Sequence, residues 1–162
     1  MLDLNYRRSL AVLAMLCAIG GTAAAQTATQ TLTFQVDAIN QIAFTGNPSL
    51  VINTAAAGAD PSSVTTAVTW GVTTNQSNAK ITASLNAALP ANVTLTVDLA
   101  APSGATSAGA QSLGTTSVDL VSAITRVAES ALGVTYTLSA TAAAGVVAST
   151  TRTVTYTITG GT

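Results

Sequence analysis

The stretch TRTVTYTITGGT, residues 151–162, alternates threonine with larger side chains and ends in two glycines. A period-two pattern predicts a β-strand with one buried face, because successive side chains of a strand point to opposite sides of the sheet. Val154, Tyr156 and Ile158 would then face a core while the threonines face water. A similar hexad, VTYTLS, occupies residues 134–139. We expect the two strands that carry these hexads to pair as a hairpin.

The same alternation recurs along most of the chain, and no long amphipathic helix interrupts it. The segment 118–125 fits either a strand or one helical turn. The pattern predicts an all-β protein, a single antiparallel β-sandwich of about eight strands with an Ig-like or Greek-key arrangement. The strand candidates are 31–36, 39–44, 49–54, 64–74, 79–86, 93–99, 118–125, 132–141 and 151–159.

The inward positions of these strands predict the hydrophobic core. In the first segment, TLTFQV, one face carries Leu32, Phe34 and Val36 and the other carries threonine and glutamine. We expect the core to contain Leu32, Phe34, Trp70, Val72, Ile81, Leu85, Leu95, Val97, Tyr136, Leu138, Val154, Tyr156 and Ile158.

The first residues, MLDLNYRRSLAVLAMLCAIGGTAAAQ, have the three parts of a secretory signal peptide. A basic start at Arg7 and Arg8 precedes an apolar run, and small residues end it. We predict a signal peptide over 1–25, cleaved before Gln26, and one β-sandwich domain over 26–162. Export by the general or the twin-arginine route stays open. No later apolar stretch approaches membrane length, so we expect a secreted product, extracellular or periplasmic, without a stable membrane anchor.

The amino-acid composition argues against most kinds of catalytic, metal-binding and nucleic-acid-binding site. Charged residues make up 7% of the chain, histidine is absent, and the net charge is −1. A nearly neutral chain with few aromatic residues is not suited to nucleic acid. The single cysteine, Cys17, lies in the predicted signal peptide, and the acidic residues are scattered. We therefore expect no catalytic, metal-binding or cofactor-binding residues, and no enzyme activity.

The order of these features resembles that of small exported bacterial β-sandwich surface proteins of Ig-like or pilin-like type. The resemblance rests on the signal ending AAAQ, the opening TLTFQVDAIN, the segment VTTNQSNAKITASL, and the TYTLSAT and TVTYTIT strands. It implies a fold built for the cell surface and, more loosely, a fibre or matrix subunit. Chaperone–usher pilins usually carry a disulfide and a tyrosine next to the C-terminus, whereas this chain has neither feature in place.

The terminal segments suggest how subunits would associate. Residues 26–37 and 151–159 are alternating, rich in threonine and almost uncharged. Edge strands of that kind invite pairing with another chain. We expect a non-catalytic exported structural protein, a cell-surface filament or extracellular-matrix subunit that self-associates through these edges. The competing interpretation is that 26–37 folds back as the first strand of its own sandwich and gives a monomer.

The alternative function is a secreted glycan-binding or adhesive module. It would use Trp70, the only tryptophan, together with the polar sheet faces. Sugar sites need exposed aromatic side chains, and only Phe44 is left without a core assignment after the predicted signal peptide. A core tryptophan on a central strand is the simpler expectation for Trp70.

Overall fold

The structure is a computed structural model that describes residues 24–161. The predicted signal peptide lies almost wholly outside these residues. Contacts along the chain divide it into two units, Met1–Gln35 and Val36–Thr162. The two units are therefore described separately.

The second unit is all-β, as predicted, and its strands pair antiparallel in two sheets. The first sheet has the order β1-β2-β8-β4-β6 and the second has the order β5-β7-β3-β9. No α-helix occurs in residues 24–161, where a single 3₁₀ turn spans Ala142–Ala144. The strands are β1 (Asn40–Phe44), β2 (Val64–Thr74), β3 (Ala79–Leu85), β4 (Val93–Leu99), β5 (Thr106–Ser107), β6 (Gln111–Ser112), β7 (Val118–Ile124), β8 (Val127–Ala140) and β9 (Val154–Thr159).

Side chains from both sheets form one hydrophobic core. Most of the predicted core residues are confirmed. Those that are buried are Trp70, Val72, Ile81, Leu85, Leu95, Val97 and Tyr136. Those that are partly buried and pack against the core are Leu138, Val154, Tyr156 and Ile158.

The prediction of a core-facing strand at 31–36 is wrong. No strand is assigned there, and Leu32, Phe34 and Val36 are 79%, 86% and 77% exposed. Alternation makes a segment amphipathic, but a strand also needs a neighbour to satisfy its backbone groups. The strand predicted at 49–54 is absent too. That stretch belongs to a loop, in which an isolated bridge joins Ala55 to Pro61.

The predicted hairpin between the two tyrosine-bearing strands is also wrong. β8 pairs with β2 and β4 in the five-stranded sheet, whereas β9 pairs with β3 in the four-stranded sheet. The hexads are similar because each strand directs a tyrosine into the shared core from its own sheet. The likeness of the two hexads therefore reflects similar packing of β8 and β9 against the core and does not mean that the two strands pair.

β-Bulges explain why the hydrophobic periodicity of segment 118–125 fitted either a strand or a helical turn. Residues 118–124 form β7, and its register with β3 shifts twice, so Leu120 and Val121 are both buried. Ala123, with φ of 59°, lies in one of these irregularities. A similar bulge in β8 contains Ala131, with φ of 58°. An extra residue in one strand breaks the period of two, so the sequence pattern is lost there.

Candidate functional site

A stack of aromatic rings closes the core between β1 and β9, which are edge strands of different sheets. The Phe44 ring lies 3.9 Å from the Tyr156 ring and 6.0 Å from the Trp70 ring, measured between centroids. The interplanar angles are 20° and 15°. The sequence left Phe44 without a role, although its alternation with Ile42 in β1 was the signal that it faces inward.

A hydrogen bond between two tyrosines joins the sheets beneath this stack. The hydroxyl oxygens of Tyr136 on β8 and Tyr156 on β9 are 2.5 Å apart. Burial raises the pKa of Tyr156 far above its usual value of 10, and its hydrogen bond with Tyr136 raises it further. Burial also raises the pKa of Tyr136, partly offset by the same hydrogen bond. Both phenols therefore stay neutral at physiological pH, and the pair acts as an interior tie between sheets.

The outer edge of β9 presents backbone groups in a regular order. The Asn86 N–H donates to the Thr153 carbonyl, which extends the β3–β9 pairing beyond Leu85 and Val154. In an antiparallel pair, alternate residues direct their backbone groups toward the partner. The threonines of β9 therefore bond to β3. The amides and carbonyls of Val154, Tyr156 and Ile158 point away from β3, and among residues 24–161 β9 pairs with no other strand.

Natural proteins usually blunt such an edge with lysine, proline, a bulge or a very short strand. β9 has the sequence VTYTIT, which contains no charge and no proline, and its register with β3 is continuous. Arg152 lies just before the strand. Its guanidinium group donates to the carbonyls of Ala88 and Thr151 and to the Thr150 hydroxyl. The strand predicted at 151–159 is thus confirmed over 154–159 as an edge without the usual protection.

Asn75 holds the residues that precede β1. Its side-chain amide donates to the Asp37 carbonyl at 2.7 Å, and its side-chain oxygen accepts from the Ile39 amide at 2.8 Å. The Asn75 amide donates to the Ile39 carbonyl at 3.3 Å. The Ile39–Asn75 pair continues the register of Asn40 with Thr74. We call these three bonds the Asn75 clasp; they keep residues 37–39 in line with β1.

The acidic groups lie apart, and several of them hold loops. Asp60 accepts from the Ala142 amide, and Glu129 accepts from the Ser103 amide. Asp119 forms an exposed ion pair with Lys80 at 3.1 Å. Within residues 24–161, no three histidine, cysteine or acidic side chains come close enough to share a metal ion. The same residues contain no helix with the length and apolar character to cross a bilayer.

Trp70 belongs to the core, as predicted. It is 1% exposed, and its indole N–H donates to the Ala100 carbonyl at 3.2 Å. Phe44 is partly buried in the ring stack. A sugar ring stacks on the open face of an aromatic side chain, so the glycan-binding alternative loses the residue on which it relied.

Comparison with known proteins adds no assignment: no family model matches the chain, and no curated protein is significantly similar to it.

Proposed function

We propose that this chain is an exported, non-catalytic structural protein whose subunits associate through strand edges into a cell-surface filament or matrix layer. In this proposal the two sheets form a single Ig-like or Greek-key sandwich. The N-terminal pattern of a basic start, an apolar run and small residues supports export.

One observation carries the proposal more than any other. The segment 31–36 has the alternation of an amphipathic strand, yet its apolar residues Leu32, Phe34 and Val36 are largely exposed. Leaving three large apolar side chains in water forgoes about 1.5–3 kcal/mol for each one that could be buried. A second chain that covers them recovers this free energy. Residues 31–36 also carry no charge that would oppose pairing with another strand.

Sizing at increasing concentration tests this function in the exported protein. We expect concentration-dependent oligomers by light scattering, and filaments or sheets by negative-stain electron microscopy. The double substitution Leu32→Asp with Phe34→Asp should give monomers, because it places two charges on the face that would be buried. At concentrations where the parent is also monomeric, its far-UV spectrum and unfolding midpoint should match the parent, since both residues lie outside the core.

A matched control replaces two apolar side chains that are also exposed, Val51 and Val146, with aspartate. This variant adds the same charge at loop positions and should still assemble. A parent protein that stays monomeric at millimolar concentration contradicts the proposal. So does equal loss of assembly in both double variants, because that result would follow from net charge rather than from the segment.

A further inference from the structure

The four strands at the sheet edges differ in their ability to accept another strand. β5 and β6 have two residues each, which is too short to hold a six-residue segment. β1 has five residues, and its first core-facing position is Asn40. The Asn40 side chain bonds to Thr74 and Gln76, so an apolar side chain placed there would meet a polar group.

β9 lacks these obstacles. It has six residues, and its core-facing positions are Val154, Tyr156 and Ile158. All three are only partly buried, so a further strand beside β9 would cover apolar surface as well as bond to the backbone. Residues 31–36 have the same period-two alternation, with threonine or glutamine at one set of positions and the exposed Leu32, Phe34 and Val36 at the other. The two segments match in length, period and lack of charge.

We propose that residues 31–36 of one molecule pair as an added strand along the outer edge of β9 of a second copy of this chain. The Val154, Tyr156 and Ile158 backbone groups bond to the added strand. Leu32, Phe34 and Val36 then pack beside the partly buried face of β9, next to the ring stack of Phe44 and Tyr156. The inference rests on the proposed function and names the accepting edge.

The Asn75 clasp favours a second copy over the same molecule. The start of β1 lies close to the end of β9, because a side chain added at Gly160 would meet Asn40. The Phe44–Tyr156 stack places the end of β1 beside the middle of β9. To return to β9 of its own molecule, the chain would have to reverse before Asp37 while Asp37 and Ile39 stay bonded to Asn75. Pairing in a second copy requires no such reversal.

Disulfide trapping between single-cysteine variants tests the accepting edge. All variants carry Cys17→Ser, which removes the natural cysteine. One variant carries Thr33→Cys in the segment, and a second carries Thr155→Cys on β9. Facing residues of paired strands have Cα atoms about 4.5–5.5 Å apart, within the range of about 4.4–6.8 Å that a disulfide spans. Gln41→Cys on β1 and Thr106→Cys on β5 give matched control edges.

We expect a mixed dimer when the Thr33→Cys and Thr155→Cys proteins are combined under mild oxidation, and little with either control edge. If the parent assembles but Thr33→Cys couples to Gln41→Cys instead, β9 is not the accepting edge, while the proposed function still holds. If a protein carrying both Thr33→Cys and Thr155→Cys gives only a closed monomer, the segment pairs within its own molecule. If the parent protein never assembles, that result contradicts the proposed function as well.

A charge on the edge gives an independent measurement. Thr157 on β9 and Thr135 on the central strand β8 are both exposed threonines. Thr157→Lys should weaken association about threefold to fivefold, because lysine favours a strand less than threonine does and is one of the residues with which natural proteins oppose pairing at a sheet edge. Thr135→Lys should leave association unchanged, because β8 is already paired on both sides. Equal effects of the two lysines would overturn the assignment of β9.

Discussion

The hydroxyl pair between the sheets should behave as one unit in unfolding experiments. Tyr136 and Tyr156 each lose only the hydroxyl group on substitution by phenylalanine, so the ring stack on Phe44 is kept. Removing one hydroxyl leaves the other without the partner it has at 2.5 Å. An interior polar group that loses its partner costs about 1–3 kcal/mol. We therefore expect each single variant to lose about 1–2 kcal/mol of unfolding free energy.

The double variant should lose less than the sum of the single losses. With both hydroxyls gone, no polar group is stranded, and paired removal of this kind is nearly neutral. A double-mutant cycle should therefore give a coupling of about 2–4 kcal/mol in magnitude, which is the sum of the two single losses and well above the error of about 0.3–0.5 kcal/mol within which independent sites add. Thermal midpoints of the single variants should fall by about 2–4 °C for each kcal/mol lost.

Urea unfolding followed by far-UV dichroism measures the cycle. The dependence on urea should have the same slope in all four proteins, which confirms that the folded and unfolded states remain comparable. Strict additivity of the two losses, or single variants as stable as the parent, would falsify the view that this bond ties the sheets together.

The remaining predictions concern pH, strain and the clasp. The raised pKa values of Tyr136 and Tyr156 mean that the folded state holds these protons more tightly than the unfolded state, so stability should fall as pH rises above about 10. The double phenylalanine variant should fall less steeply in an alkaline urea series. Ala131→Gly should stabilise the fold by up to about 1 kcal/mol in urea unfolding, because glycine accepts the positive φ of this bulge without strain; a loss of stability would contradict this. Asn75→Ala should speed hydrogen exchange at the Ile39 amide and shift subunits from oligomer toward monomer; unchanged exchange would contradict the clasp.

Local alternation predicted β2 and β4 closely, because the extra residue of the β2–β8 bulge lies in β8 and both β2 and β4 keep their own period of two. It failed at β7, where bulges place Leu120 and Val121 on the same side and remove the period. It also failed to show which strands are neighbours. The hexads around Tyr136 and Tyr156 are nearly the same, yet they belong to different sheets. Sheet membership depends on contacts far apart along the chain, and periodicity carries no information about them.

The edge of the candidate site was predictable, but its aromatic interior was only partly so. The alternation in residues 151–159 correctly predicted a strand with Val154, Tyr156 and Ile158 facing inward, and the structure places that strand at Val154–Thr159. The hydroxyl bond to Tyr136 was not foreseen, because the hairpin prediction placed the two strands side by side. The alternation correctly indicated that segment 31–36 is amphipathic, but the prediction that its apolar residues belong to the core is wrong. An amphipathic pattern requires a surface to cover it, and that surface need not belong to the same fold.

The proposed assembly through β9 has to compete with pairing of the segment inside its own molecule. A segment joined to its own acceptor by a short flexible linker experiences an effective concentration in the millimolar range, which a dilute second copy cannot match. Intermolecular pairing therefore wins only where the connection prevents closure. The Asn75 clasp acts on that connection, because it fixes residues 37–39 in the direction of β1. In a chain with so few charges, neither the segment nor β9 carries a gatekeeper residue that would oppose pairing. In the proposed assembly the clasp opposes closure and β9 accepts the segment of a second copy. The contact is head-to-tail, since donor and acceptor are different surfaces of the same chain. Contacts of that kind repeat without limit unless a ring closes, so in the proposed assembly the two features that oppose a closed monomer also favour a filament.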